Sequence, residues 1–168
     1  EIGSRIGIDV EPCLSCHSAG APMSRARLEE VHLPLFAGGG IMGFMIRGSN
    51  TVIPAHYHGS IVGVTLAYMG VVYLLLPRLG RPLTMLRTAY WQPYVYGIGQ
   101  VMHITALAWT GGHGVKRKTA GAAQGLQSLQ DIVGMGLMGL GGMVAVIGGG
   151  MFLVVVLAAL LRGREVPR

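Results

Sequence analysis

Two long stretches of this chain contain no charged residue, and they limit the folds open to it. The first runs from 60 to 76 and the second from 132 to 161. A membrane-spanning helix needs about 20 mostly apolar residues. With its start at Pro54, the first stretch predicts a transmembrane helix over 54–76, and the second predicts another, with some tilt, over 132–161. An uncharged run of this length constrains a chain more than any local propensity does.

Two further apolar runs complete the predicted membrane domain, 33–161. The segment 90–110 contains aromatic residues near both ends, as interfacial segments often do. The segment 33–47 is shorter than a span requires, and we expect it to be short or re-entrant unless residues 26–32 extend it. The sequence therefore predicts an all-α membrane protein, with three to four transmembrane helices in a bundle.

Composition agrees with this class. The 168 residues are 51% hydrophobic and 12% charged, and the formal net charge is +6. Because the basic residues lie in short clusters between apolar runs, membrane topology or anionic cofactor groups explain them better than nucleic acid. Residues 1–32 are predicted to be extramembrane, and 162–168 form a basic tail. The sequence opens at Glu1 with no basic start or apolar stretch of the leader type, so we expect any targeting segment to have been removed or never to have been part of this polypeptide.

A haem-attachment signature lies in the predicted extramembrane segment. Cys13, Cys16 and His17 form Cys-x-x-Cys-His, in which two thioethers hold a c-type haem and the histidine binds its iron. A structural metal site or a redox dithiol is the alternative. Met23 is a candidate sixth ligand, although methionine more often serves packing. Haem c is thus the first cofactor that the sequence predicts.

A histidine pair begins the helix predicted at 54–76. His56 and His58 are two residues apart, so on a helix their side chains point about 200° from each other. They are poorly placed to share one metal but could each hold a different haem, and intramembrane histidines are functional candidates. The alternative is that both are satisfied by hydrogen bonds at the start of the helix.

His103 is the third candidate ligand, in the run 90–110. If this run and 54–76 form an antiparallel hairpin, His103 and His58 lie at similar depth. They could pair with each other or flank one haem, or His103 could be an ordinary interior histidine. His113 and His32 are expected to be surface residues.

A basic cluster follows the third run. Lys116 and Arg117, with Lys118 after them, could pair with haem propionates, which are carboxylates near the membrane surface. The alternative is an interfacial cluster that helps to set topology.

Residues 33–161 resemble the C-terminal quarter of the catalytic subunit of the haem-copper oxidase and nitric oxide reductase superfamily. The resemblance rests on Asn50-Thr-Val-Ile-Pro-Ala-His-Tyr-His-Gly59, on the glycine-rich 38–43 and on Gly111-Gly-His-Gly-Val-Lys-Arg117. It implies that His56 binds a high-spin haem and His58 a low-spin haem. It also implies that Lys116 and Arg117 contact propionates, so one or two b-type haems are expected.

The chain also departs from that family. The helices that carry the family's copper or non-haem iron ligands are missing, so a partner chain would have to supply that metal. We expect a haem-binding subunit of a split respiratory oxidoreductase that is not catalytic alone. The alternative is a non-catalytic membrane cytochrome that exchanges electrons with a quinone or cytochrome c.

The resemblance also implies an orientation. It places the His56 end toward the outer face of a bacterial or archaeal cytoplasmic membrane. The loop with Arg78, Arg81 and Arg87 would then lie inside, as the positive-inside rule favours. If 33–46 also spanned, the Cys13 motif would lie inside, where haem attachment is not expected. A re-entrant 33–46 would avoid this conflict.

Overall fold

The fold is helical throughout the part of the chain that the structure describes. The computed structural model describes residues 25–119 and 121–162, with the backbone alone for 25–29. Its elements are α1 (Arg25–Phe44), α2 (Val52–Arg78), α3 (Leu86–Gly112), a 3₁₀ turn (Gly121–Gln124) and α4 (Leu129–Arg162). In these ranges there is no β-strand, only an isolated bridge between Asn50 and Lys116. The predicted all-α class is confirmed.

Successive helices run antiparallel and pack as neighbours. α2 lies against α1 and α3, α1 also reaches α3, and α4 packs mainly on α3. The loops after α1 and α3 therefore meet at one end, called the histidine end below. The loop 79–85, the start of α1 and the end of α4 lie at the other, called the arginine end. There the Arg81 guanidinium donates to the Leu160 carbonyl at 3.2 Å.

Two helices, α2 and α4, are long and apolar enough to cross a membrane. Only 39% of the most apolar stretch of α2 is buried inside the chain, and only 22% of that of α4. A core helix of a soluble domain would bury most of such a stretch. Large apolar side chains of α4, among them Val146, Leu153 and Leu161, are instead exposed. The apolar surface of α4 therefore needs cover from outside the described chain.

α1 takes the longer of the two forms that the sequence left open, in which residues 26–32 extend the segment. It begins at Arg25, inside the segment 1–32 predicted to be extramembrane, and continues through Pro34 to Phe44 without a break. Close packing on α2 explains this, because a Cβ on Gly63 would lie 2.7 Å from the Phe36 nitrogen. Leu35, 1% exposed, adds its buried surface to the same contact. α1 is a continuous helix rather than a re-entrant turn.

Glycines bring α4 equally close to α3. Gly134, Gly141 and Gly148 are buried at intervals of seven residues, the spacing of a coiled-coil seam. A Cβ on Gly141 would lie 2.6 Å from the backbone nitrogen of His103. The glycines of the last run are therefore packing residues in the seam, and they carry the α4 backbone up to His103.

Candidate functional site

The histidine end is fixed by contacts between two loops and the helices beside them. The Thr51 nitrogen donates to the Val115 carbonyl at 3.1 Å. The Thr51 hydroxyl donates to the Leu107 carbonyl at 2.9 Å and lies 3.0 Å from the Thr110 hydroxyl. Thr51 and Thr110 are almost fully buried, so these bonds are shielded from water. The loop after α3 is thereby anchored to α2, one turn before its histidines.

His56 faces α1. Its Nδ1–H donates to the Gly39 carbonyl at 2.7 Å. The ring fits against Gly43, where an added Cβ would lie 3.0 Å from the imidazole Cε1. The helices approach this closely because Gly39 meets Gly59: a Cβ on Gly59 would lie 2.6 Å from the Gly39 Cα. On α1, Gly39 thus supplies the hydrogen-bond acceptor of His56, and Gly43 leaves space for its ring.

His58 faces the opposite way, toward α3, as the helix phase predicts. Its ring centroid lies 5.1 Å from that of His103, with the ring planes 48° apart. The His58 Nδ1–H donates to the Pro54 carbonyl at 2.9 Å, and the His103 Nδ1–H donates to the Met138 carbonyl on α4 at 2.8 Å. Both rings are half-buried. Of the two arrangements that the sequence left open, the rings adopt the direct pair.

One chemical feature is common to His56, His58 and His103. A carbonyl oxygen only accepts, so each ring that bonds one through Nδ1 carries its proton there. The neutral ring then keeps its lone pair on Nε2, and the carbonyl fixes the orientation of the imidazole. Metal-ligating histidines are typically held in this way. Nε2 is therefore the nitrogen that each of the three histidines has left for a ligand.

Two other histidines lie apart from this group. His113 is exposed at the end of α3, where its Nδ1–H donates to the Trp109 carbonyl at 2.8 Å. The centroid of its ring lies 5.1 Å from that of the Trp109 ring. His32 is half-buried toward the arginine end and lines an apolar groove with Phe36 and Tyr68. Neither joins the three histidines near the start of α2.

The positions of the His56, His58 and His103 rings determine which cofactors these histidines can hold. Axial ligands on opposite faces of one haem iron hold their centroids roughly 6 Å apart, with the macrocycle between them. His58 and His103 are in direct ring contact, so a haem shared by these two rings does not fit. The donor set of His56 fits haem, because a neutral imidazole held by a carbonyl is the usual form of a proximal ligand.

Basic residues lie at both ends of the bundle. Arg47, Lys116, Arg117 and Lys118 lie at the histidine end, and Arg78, Arg81, Arg87 and Arg162 lie at the arginine end, where α1 also begins at Arg25. The Arg117 Nε–H donates to the Ser49 hydroxyl at 3.2 Å, which holds this cation on the loop before α2.

The sequence analysis missed residues that act through their backbone. Gly39 and Met138 supply carbonyl acceptors to His56 and His103, and Gly43 and Gly142 leave space beside those rings. In the sequence, only the high density of glycines indicated that helices pack closely here. Which carbonyl on another helix meets a histidine depends on that packing. Cys13, Cys16, His17 and Met23 lie outside the described residues, as does the tail after Arg162. Predictions about them remain predictions.

Comparisons with known proteins add one relative. No family model matches the chain, and no solved structure matches it. It is 36% identical over 131 residues to the uncharacterized protein RP382 of Rickettsia prowazekii (strain Madrid E). That match covers 71% of this chain and 25% of the Rickettsia protein. The chain thus spans about a quarter of the length of the curated relative it matches.

Proposed function

We propose that this chain is a haem-binding membrane subunit of a respiratory redox complex. The observation that supports this best is the arrangement of the histidine pair on α2. His56 and His58 leave the helix in opposite directions, and a carbonyl holds each through Nδ1, leaving Nε2 as a ligand. The complex is of the haem-copper oxidase or nitric oxide reductase kind, and the described chain forms part of its membrane domain.

His56 is the haem ligand in this proposal. The Gly39 carbonyl orients the imidazole and makes Nε2 more basic, as outer hydrogen bonds do for metal-bound histidines. Haem, when bound, supplies one-electron chemistry. The His56 ring is half-buried between α1 and α2. This packing limits the rotation of the ring and so holds Nε2 in place. The sequence assigns His58 a low-spin haem, and that remains a prediction because its ring lies against His103.

Lys116 and Arg117 serve the propionates of that haem. Bonds from the Thr51 nitrogen to the Val115 carbonyl and from the Arg117 Nε–H to the Ser49 hydroxyl bring their loop to the end of the bundle that carries His56. Cations beside a buried anionic group form short, charge-assisted hydrogen bonds with it. The two side chains would place the haem edge near the membrane surface, where a soluble cytochrome c delivers electrons.

Partner helices supply the rest of the centre. The matched stretch accounts for 25% of the Rickettsia protein, so that relative has further chain in which such helices could lie. In this complex the partner contributes copper or non-haem iron and any second haem ligand. The terminal reaction is then the reduction of dioxygen or nitric oxide, with cytochrome c or a quinone as donor.

The test is haem and metal analysis of the complex purified from its own membrane in mild detergent. Pyridine haemochrome spectra should show b-type haem, and His56→Ala should lose it. His113→Ala is the matched control, because His113 bonds a carbonyl in the same way but lies in the exposed loop. A carbon-monoxide-binding haem would support a reductase, and its absence would favour the electron-relaying cytochrome. Unchanged haem in the His56 variant would contradict the assignment.

A further inference from the structure

Haem ligation by α2 does not explain the contact between His58 and His103. His58 belongs to α2, His103 to α3 and the acceptor carbonyl of Met138 to α4, so three helices meet at this pair. Each ring has its Nδ1 proton engaged by a carbonyl, at 2.9 Å and 2.8 Å. Two imidazoles therefore lie side by side, and in the neutral form of each ring the lone pair is on Nε2.

The spacing of the two rings suits one small ion. Imidazoles bound to one tetrahedral metal through nitrogens about 2.0–2.1 Å away have their centroids roughly 5 Å apart. The observed separation is 5.1 Å. Gly142 leaves room for the Nδ1 edge of the His103 ring, since a Cβ there would lie 3.3 Å from Nδ1, and so allows the ring to take this position. The centroid separation of 5.1 Å is too short for a haem shared by the two rings. It is the separation expected for two imidazoles bound to a single metal ion.

We propose that His58 and His103 bind one tetrahedral transition-metal ion through their Nε2 atoms. Imidazole ligands favour zinc and copper among the common metals, so the ion is Zn²⁺ or Cu⁺. The described residues contain no cluster of three or more His, Cys, Asp or Glu side chains that could together hold one metal ion. Water or a partner subunit therefore completes the coordination. The site does not depend on haem at His56, which lies on the opposite face of α2.

This site gives the Met138 carbonyl a definite role. By accepting the His103 Nδ1 proton, it fixes the tautomer that exposes the Nε2 lone pair. α4 thus acts as an outer support for a ligand on α3, and the close approach at Gly141 makes that contact possible. Metal binding would cross-link α2 and α3 at the histidine end.

The experiment uses the purified full chain in detergent, stripped with a chelator and titrated separately with Zn²⁺, Cu⁺ and the spectroscopic probe Co²⁺. In a chain carrying Cys13→Ala and Cys16→Ala, which removes the other candidate metal-binding motif, one ion per chain should bind, and Co²⁺ should give the intense visible bands of tetrahedral coordination. His58→Ala and His103→Ala should each weaken binding about tenfold or more. His103→Cys should restore it and add a thiolate-to-cobalt absorption band, because Cys is itself a tetrahedral ligand.

The control is His113→Ala. Its ring makes the same carbonyl bond and contacts a neighbouring ring at the same 5.1 Å, but that neighbour is Trp109 rather than a second histidine. Metal affinity in this variant should equal that of the unaltered chain. The proposal is overturned if the unaltered chain binds no ion, or if His103→Ala binds as tightly as the control while its helical circular dichroism is unchanged. Haem measured on the same samples tests the separate assignment to His56.

Discussion

At the scale of single residues, backbone carbonyls decide what the histidines can do. His56, His58 and His103 each bond a carbonyl through Nδ1, so the same nitrogen is left free in each. The difference between them lies in what surrounds Nε2. For His56 the nearest helix is α1 with its glycines, and for His58 it is α3 with a second imidazole.

Gly43 is predicted to set the position of the His56 ring. In Gly43→Val the new Cβ would lie 3.0 Å from the imidazole, so the ring must shift and its bond to the Gly39 carbonyl should weaken. We expect an altered haem spectrum or lower haem content, and a loss of about 1–3 kcal/mol from overpacking. Gly40→Val is the control, since nothing lies within 4 Å of a Cβ at that position. Equal effects in both variants would argue against the role of Gly43.

Gln92 shows how a buried polar residue can be dispensable. It is fully buried, and its side-chain nitrogen donates to the Gly148 carbonyl at 3.2 Å, while its side-chain oxygen has no partner in the described chain. Replacing a partly satisfied amide with an apolar group of similar shape is close to neutral. Gln92→Leu should therefore change unfolding stability by less than about 1 kcal/mol, whereas Gln92→Ala should cost about 2–5 kcal/mol through its cavity. Chemical denaturation in detergent measures both, and a larger loss for the leucine variant would show a needed polar contact.

At the scale of helices, glycine contacts control the geometry of the site. The seam formed by Gly134, Gly141 and Gly148 brings the α4 backbone against α3, and this lets the Met138 carbonyl reach His103. The meeting of Gly39 and Gly59 does the same for α1 and α2. Close approach of backbones through small residues is typical of membrane helices.

The seam predicts a large difference between neighbouring glycines of α4. Gly141→Val would drive a side chain into the backbone of α3 beside His103, whereas Gly139 faces open space. We expect Gly141→Val to lose about 1–3 kcal/mol or more of stability and to weaken metal binding at His58 and His103. Gly139→Val should change neither beyond the small effect of a β-branched residue in a helix. Thermal unfolding of the two variants decides the matter, and equal melting temperatures would contradict the seam.

The helices themselves could be predicted from the sequence, because uncharged length is a local property. The segments predicted at 54–76, 90–110 and 132–161 lie within α2, α3 and α4, which extend them by two to four residues at their starts. α1 was only partly predicted. Glu29, Glu30 and the inserted Pro34 interrupt the apolar pattern at the start of this helix.

The candidate site was predictable to a similar degree. Helix phase alone separates His56 from His58, and antiparallel pairing places His58 level with His103, as observed. The direct ring contact, and hence the poor fit of a shared haem, depends on how closely α2 and α3 approach. No local pattern records that distance.

At the scale of the whole molecule, alternating helix directions fix which loops share a side. The start of α1, the loop at Arg81 and the end of α4 lie at the arginine end, opposite to His56 and Lys118. The chain that precedes Arg25 therefore enters the bundle at the end away from the histidines.

Labelling in sealed vesicles should reveal this arrangement. With Cys13 and Cys16 replaced by alanine, single cysteines at Arg81 and Arg162 should react with an impermeant maleimide from the same side. A cysteine at Lys118 should react from the other side, because an odd number of helices separates it from Arg81. Labelling of positions 81 and 118 from one side would contradict the antiparallel arrangement of α2 and α3 across a membrane.

The central claim is that α2 directs two histidines to two separate binding sites. Haem and metal content of His56→Ala and His58→Ala, measured side by side on purified protein, tests it most directly. The account predicts that His56→Ala loses b-type haem and keeps its metal ion, while His58→Ala loses the ion and keeps that haem. If either variant loses both groups while remaining folded, or if neither variant loses anything, the two-site account is wrong.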